Sequence, residues 1–250
     1  MSEQELEGRV ALVTGAGRNI GRSIALALAA GGAAVVVNAR SNKAEADSVV
    51  KDIEAAGGQA LAVLAEVSDE VAVRRMVEAA VTRFGRIDVL VNNVAMRRET
   101  AFDMITLDEW HSVLRVILDG AFICTQACLP HLKASGSGAI INLGGLSAHS
   151  GSKDRAHVMT AKMGVIGFTH ALAHDLADHK VTVNCVAPGL IATARHVNAP
   201  EPQHHQLHQT LFGERGRPED IAAMVRLLAG PGGRFVTGQT IHVNGGAFLT

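Results

Sequence analysis

The sequence predicts an α/β fold, a parallel sheet with helices packed on both of its faces. Three observations carry that expectation. Short runs rich in β-branched residues alternate with helical stretches along the 250 residues, the signature of repeated βαβ units. A glycine-rich turn, Thr14-Gly15-Ala16-Gly17-Arg18-Asn19-Ile20-Gly21, joins the first strand to the first helix. Hydrophobic residues make up 48% of the chain and charged residues 19%, enough to build a large core.

In chain order, Arg9–Thr14 reads as the first strand, and Ile20–Ala30 as a helix stopped by Gly31-Gly32. Ala34–Asn38 is the second strand, followed by a helix from Lys43 to Ala56. Ala60–Val67 is the third strand, Glu70–Phe84 the next helix, and Val89–Asn92 a very apolar fourth strand. One long helix is expected over Leu107–Ser135, then strand Ala139–Leu143, a helix from Arg155 to Leu176 and strand Val181–Val186. Helix Pro218–Leu228 and strand Thr240–Val243 close the pattern. No Pro/Ser-rich linker or internal repeat interrupts it, so residues 1–250 are expected to form one domain. The least regular segment, 191–216, holds Pro200, Pro202 and several histidines. Loops past the carboxyl ends of parallel strands border the ligand crevice, so this segment is a candidate substrate lid.

Composition excludes several functions. A net charge of −1 offers no basic footprint for nucleic acid. No uninterrupted apolar run reaches the roughly 18 residues of a membrane span. The polar, acidic start Met1–Gly8 does not resemble a signal peptide. Cys124, Cys128 and Cys185 lack metal or redox spacing and read as buried free thiols, consistent with a cytoplasmic setting. His204 and His208 are four residues apart with His205 between them, but no carboxylate or cysteine completes a set, so no metal is expected.

The glycine turn lets backbone approach a pyrophosphate, while the helix start supplies unpaired N–H groups and a favourable dipole. The second strand ends in Asn38-Ala39-Arg40-Ser41-Asn42. A carboxylate there would bind the adenosine ribose hydroxyls; Arg40, with Ser41 beside it and Arg18 in the glycine loop, instead suits a 2′-phosphate. The expected cofactor is therefore NADP(H).

These motifs resemble those of the short-chain dehydrogenase/reductase family over nearly the whole chain. The glycine loop is similar to the family's TGxxxGxG, with Asn19 replacing its middle glycine. Arg86–Ala95 resembles the segment ending in NNAG, departing at Val94-Ala95, and Asn93 is its cofactor-side asparagine. Asn184–Gly189 resembles the NxVxPG turn. The resemblance puts Pro188, Gly189, Ile191 and Thr193 beside the nicotinamide, and Glu66 and Val67 beside the adenine, where the family usually has aspartate for Glu66. Gly216–Ala222 and Gly238–Gly246 match the closing motifs. Members similar in appearance include 3-oxoacyl-thioester reductases. The resemblance implies a doubly wound, seven-stranded Rossmann sheet of order 3-2-1-4-5-6-7. It also implies a homotetramer built on the two long helices and the last strand.

The resemblance fails where chemistry is expected. The family's acid/base is a tyrosine four residues before a lysine, helped by a serine and by an asparagine on the preceding long helix. Alignment on Lys162 puts Val158 at the tyrosine, Gly145 at the serine and Ile117 at the asparagine, and the chain contains no tyrosine at all. Lys162 remains as the ribose-binding, pKa-shifting cation. His157, His149 and Ser147 are the candidate replacements, since imidazole titrates near neutrality. A one-residue step turns a helix by about 100°, so His157 is expected to point away from Lys162 unless the helix begins irregularly. Arg97, Arg98, Arg155 and Lys162 together would suit an anionic small-molecule substrate. Three readings stay open at this point: an oxidoreductase with rearranged proton-transfer groups, a catalytically silent NADP(H)-binding sensor or scaffold, and a non-redox reaction such as elimination, isomerisation or epimerisation.

Overall fold

The computed structural model describes residues 4–194 and 209–249. Seven strands form one parallel sheet: β1 (Val10–Val13), β2 (Ala34–Ala39), β3 (Ala60–Leu64), β4 (Val89–Asn92), β5 (Ala139–Leu143), β6 (Thr182–Pro188) and β7 (Thr240–Val243). Their order is β3-β2-β1-β4-β5-β6-β7, as the family resemblance implies. The register pairs Leu12 with Val36 on one side of β1 and with Leu90 on the other.

Side chains alternate across the sheet because successive strand residues point to opposite faces. Ala11 and Val13 of β1 join a core with α1 (Asn19–Ala30), α2 (Lys43–Ala55) and α8 (Pro218–Ala229). Val10 and Leu12 join a second core with α3 (Glu70–Phe84), α5 (Gly120–Ala134) and the end of α7 (Ala156–Asp175). Each fully buried Leu or Ile in these layers, such as Leu12, Leu28 and Ile140, contributes roughly 1.5–3 kcal/mol.

Three elements differ from the sequence expectation. The stretch predicted as one helix over Leu107–Ser135 is α4 (Leu107–Leu114), a π-helical turn at Arg115–Asp119, and α5. Such a turn inserts one extra residue per helical turn, which hydrophobic periodicity does not reveal, and it often marks a functional site. This rod is long and apolar enough to cross a membrane by length and composition alone, but α5 packs on α3, β4 and β5 as a core helix. A short helix, α6 (Leu146–Ser150), follows β5 where the sequence gives no helical signal. β3 stops at Leu64, short of the expected Val67. Of the candidate lid 191–216, residues 195–208, including His204, His205 and His208, lie outside the described residues. At its ends Ile191 and Gly216 form a parallel bridge.

Candidate active site

All seven strands are parallel, so their carboxyl ends meet along one edge of the sheet, and the chain reverses direction across the sheet between β1 and β4. Ligands of such sheets bind at that switch point. Thr14 leaves β1 there and Asn93 leaves β4. The Thr14 hydroxyl accepts from the Asn93 backbone N–H at 2.9 Å, and Asn93 Nδ2 donates to Thr14 O and Gly15 O at 2.9 and 3.1 Å.

The glycine loop is held open from below by a residue that the motifs do not single out. Asn38, fully buried at the end of β2, accepts from Gly15 N–H through its Oδ1 at 3.2 Å and donates from Nδ2 to Ala65 O at 3.0 Å. Gly15 takes φ +60°, and a Cβ on Gly21 would overlap the Gly15 carbonyl and come within 2.6 Å of Asn93 Nδ2. Asn19 also has positive φ, 51°, which asparagine tolerates where glycine is usual. Its side chain clamps the backbone past β6, accepting from Ala194 N–H at 2.9 Å and donating to Ala194 O at 3.2 Å. No acidic residue occupies the first turn of α1, and its leading N–H groups have no partner within the helix. The cradle of Gly15, Gly17, Arg18, Asn19, Ile20 and Gly21 therefore fits a pyrophosphate.

Next to it lies a cleft of about 420 Å³ lined by Arg40, Glu66, Ser68, Met96, His111 and Arg115, among others. Arg40 is exposed and meets Glu66 at only 4.0 Å, so its guanidinium is available to an anion while Ser41 stays exposed beside it. His111 and Arg115 bring two further nitrogen donors from α4 and the π-helical turn. Their i, i+4 spacing is the one sign in the sequence that could have found them. Val67 is buried against Gly120, where a methyl group in place of the glycine hydrogen would meet it at 2.8 Å. Pro188 ends β6, Gly189 packs on Asn244, and Ile191 and Thr193 follow along the same edge.

Toward β5 the edge narrows to a crevice of about 10 Å³ bounded by Thr14, Asn92, Val94, Ile117, Leu143, Lys162 and Val165, with four further residues. Beneath it runs a buried polar chain. Asn92 Nδ2 donates to Asn142 Oδ1 (2.9 Å) and Thr125 Oγ1 (3.2 Å), Asn142 Nδ2 donates to Thr169 Oγ1 (2.9 Å), and Thr169 donates to Val165 O (2.8 Å). Lys162 is buried and donates to Leu143 O. Its pKa falls to about 8, chiefly through burial, with Cys185 pulling the other way and Arg155 adding to the fall. The Cys185 thiol is itself pushed up to about 11 by burial, so at neutral pH it carries no charge to offset the ammonium.

Val158 and Ile117 meet in one apolar cluster with Val113, Ala161 and Val165. Gly145, at the cap of α6, has open space around its α-carbon. Ser147 is buried and makes no side-chain hydrogen bond among the described residues. His157, a candidate for proton transfer, points away from Lys162 as helix geometry predicts. The α7 helix begins at Ala156, and the rotation of one residue from Val158 turns the His157 ring onto α4, where Nε2 sits 3.3 Å from Glu109 Oε1. Glu109 also accepts from the Thr100 hydroxyl at 2.7 Å, and Thr100 N–H donates to Asp154 O at 2.7 Å. His157 thus braces the start of α7. His149 does not line the crevice either. Its ring packs edge-on to His242, with centroids 4.5 Å apart, and against Phe248 at 5.7 Å, and burial lowers its pKa. Of the four cations expected together, Arg97 and Arg98 are exposed, while Arg155 and Lys162 are buried. Among the described residues no cluster of three or more His, Cys, Asp or Glu is arranged to hold a metal.

This arrangement matches known proteins along almost its whole length. The family model described as enoyl-(acyl carrier protein) reductase matches residues 15–247. A 3-oxoacyl-(acyl-carrier-protein) reductase of Synechocystis sp. is 43% identical over 247 residues, covering 98% of both chains. Its counterpart in Staphylococcus aureus is 41% identical over 240 residues, covering 96% of this chain and 98% of its own. Among solved structures, a short chain dehydrogenase from Burkholderia cenocepacia in complex with NADP superposes with a TM-score of 0.90 at 35% identity, covering 97% of this chain and 99% of that one. A blue fluorescent protein from a metagenomic library in complex with NADPH gives 0.91 at 35% identity, covering 98% and 100%. The seven-stranded order, the glycine cradle and these relatives agree: the chain belongs to the short-chain dehydrogenase/reductase family.

Proposed function

We propose that this protein is an NADP(H)-dependent oxidoreductase acting on a carbonyl or secondary alcohol of a small molecule, with Lys162 as its proton-transfer group. When bound, the dinucleotide supplies or accepts the hydride. Arg40 and Arg18 take its 2′-phosphate, and the start of α1 its pyrophosphate. Glu66 and Val67 border the adenine, while Asn93, Pro188, Gly189, Ile191 and Thr193 border the nicotinamide side. NADP and NADPH in the related structures support this assignment.

The observation that carries the reading is the environment of Lys162. Tyrosine, serine and asparagine are replaced by Val158, Gly145 and Ile117, and burial desolvates the Lys162 ammonium in a crevice that Ile117 and Val165 also line. A lysine with a pKa of about 8 is matched to proton transfer near neutrality, where an ordinary lysine is too weak an acid. In the reducing direction Lys162 Nζ gives its proton to the carbonyl oxygen; in the oxidising direction neutral Nζ takes it from the alcohol. Leu143 O orients the amine by accepting one of its hydrogens. Ser147, buried on α6, is the hydroxyl proposed for a second hydrogen bond to the substrate, and His149 packs α6 against β7.

The substrate is small and, by the two buried cations Arg155 and Lys162, anionic. Exposed Phe122 on α5 and Met163 on α7 support a homotetramer built on those helices. The free, buried cysteines suit a cytoplasmic setting. A second reading, a silent NADP(H)-binding sensor, is favoured by the same apolar cluster, since Val158 and Ile117 leave no polar relay. Titration of protein fluorescence with NADPH and NADH, followed by a panel of carbonyls and alcohols across pH 6–10, separates the two. NADPH preference with turnover whose acid limb tracks the Lys162 ionisation supports the enzyme; NADPH binding without turnover supports the sensor. Binding of neither dinucleotide refutes both.

A further inference from the structure

We propose that His149 and His242 form an acid-released latch: their neutral rings join α6 to β7 and to the last residues of the chain, and a proton on either ring releases them. The latch is independent of the reaction proposed above.

Three rings make the contact. The His149 ring on α6 meets the His242 ring of β7 edge-on, with centroids 4.5 Å apart. Phe248 packs against both, 5.7 Å from His149 and 5.3 Å from His242. His242 turns toward α6 because it alternates along β7 with Ile241 and Val243, which pack into the core on the other face of the sheet. Thr240 shares the face of His242.

The chain past β7 is folded onto this pair by its own turn. Asn244 Nδ2 donates to Phe248 O at 2.9 Å, and Asn244 Oδ1 accepts from Gly246 N–H at 2.8 Å. Gly245 and Gly246 hold φ +60° and +77°, which the turn requires. The same turn seats the described end of the candidate lid: Leu211 N–H donates to Gly245 O at 2.7 Å, and the Leu211 side chain packs on Gly246. On the other side of the contact, α6 has only five residues and no side chain caps its start, so its order depends on packing.

This contact tolerates no charge. His149 Nε2 and His242 Nδ1 are shut off from water and lack a hydrogen-bond partner among the described residues, as do Ser152 Oγ just past α6 and Thr240 Oγ1 on β7. Buried polar atoms without partners weigh against the closed arrangement and leave it marginal. A proton adds to either imidazole a second N–H donor and a full charge. The rings face each other and Phe248, and among the described residues no carboxylate acts on either. Burial holds both below the ordinary imidazole value of 6.5, and the charge of His149 lowers His242 further. Once α6 and the end of the chain part, water solvates both rings and restores that value, so the released form binds more protons. The closed form is therefore complete above about pH 6.5 and is lost as pH falls below it. Because α6 follows β5 and carries Ser147, release loosens the edge of the sheet across the switch point from the glycine cradle on α1.

The test is hydrogen–deuterium exchange of dinucleotide-free protein at pH 7.5 and pH 5.0, corrected for the chemical exchange rate, with α1 as the internal reference. Protection of residues 146–150 and 240–248 is expected to fall about ten-fold or more from the higher to the lower pH, while α1 changes by less than about two-fold. The double variant His149→Phe/His242→Phe keeps two uncharged rings and is expected to show equal protection at both pH values. His149→Phe alone, with one titrating ring left, is expected to respond less than wild type. A ring-carbon NMR titration of wild type, assigned with His149→Gln and His242→Gln, is expected to place both imidazoles below the ordinary value. Wild-type protection that ignores pH, a double variant that responds as wild type does, or either ring titrating at or above 6.5 would each overturn the latch. If the double variant loses α1 protection as well, His149→Phe and the ring titration decide between the same outcomes.

Discussion

Lys162→Met is expected to stabilise the protein at neutral pH while abolishing turnover. The ordinary lysine value of 10.5 falls to about 8 in the fold, chiefly through burial. At about 1.36 kcal/mol per pKa unit, keeping the charged side chain inside the protein costs about 3 kcal/mol at pH 7. Methionine fills a similar volume without that charge. It forfeits the hydrogen bond to Leu143 O, which costs about 1–2 kcal/mol. The net gain is about 1–2 kcal/mol at pH 7, or roughly 4 °C in Tm for a chain of this size.

The pH dependence carries the sharper test. Below pH 8 lysine is protonated in both folded and unfolded chains, so the penalty is constant. Between about pH 8 and 10.5 the unfolded chain binds the extra proton, so wild-type stability rises with pH through this window. Lys162→Met lacks that rise. Urea unfolding of dinucleotide-free protein at pH 7 and pH 10, taken as the difference between the two proteins, cancels the other titrating groups. The variant is expected to be the more stable at pH 7 and to lose its advantage, or fall below wild type, at pH 10. A variant less stable at pH 7, with a difference that does not change by pH 10, would refute the desolvated-lysine argument and the acid/base role built on it.

Two further outcomes follow from the cofactor cradle. Arg40→Glu is expected to weaken NADPH binding about 10- to 100-fold, the worth of one or two charge-assisted hydrogen bonds, while NADH changes little; because Arg40 is exposed and only loosely paired with Glu66, stability should move by less than about 0.5 kcal/mol, and equal losses for both dinucleotides in fluorescence titrations would remove Arg40 from the 2′-phosphate site. Gly21→Ala drives a methyl into the Gly15 carbonyl and to 2.6 Å from Asn93 Nδ2, costing about 1–3 kcal/mol of stability and binding of both dinucleotides alike, so an unchanged melt with normal NADPH affinity would show that the loop is not packed as described.

The sheet was legible because a parallel strand buried on both faces must be apolar nearly throughout, and Leu12, Val36 and Leu90 obey that rule. The glycine loop and its neighbouring cation were legible from local chemistry, since Gly15, Arg18 and Arg40 follow directly from their places at the ends of the first two strands. What escaped depends on contacts distant in sequence. Asn38 reads as a strand-end polar residue, and only the approach of Gly15 and Ala65 shows it holding the loop. The rotation of His157 away from Lys162 followed from helix geometry, whereas its partner Glu109, 48 residues earlier, did not. Arg97, Arg98 and Arg155 look alike in sequence, and burial alone separates the surface pair from the interior one. The π-helical turn at Arg115–Asp119 preserves helical composition, so it left no mark on the periodicity.

The loss of the polar relay and the altered lysine are best understood as one change. A tyrosine hydroxyl beside Lys162 and an asparagine on the facing helix would each admit dipoles or water to the ammonium and lessen its desolvation. Val158 and Ile117 lie instead in an apolar cluster with Val113, Ala161 and Val165. Arg155 adds repulsion from one side, and neutral Cys185 offers no anion from the other. The proposed role thus needs no conventional relay, because burial is the main cause that brings Lys162 down to about 8. Methionine or leucine at 162 would fold better, so packing alone does not call for this buried lysine. A charge kept at a cost of about 3 kcal/mol therefore favours the proposed functional role of Lys162 over a merely structural one.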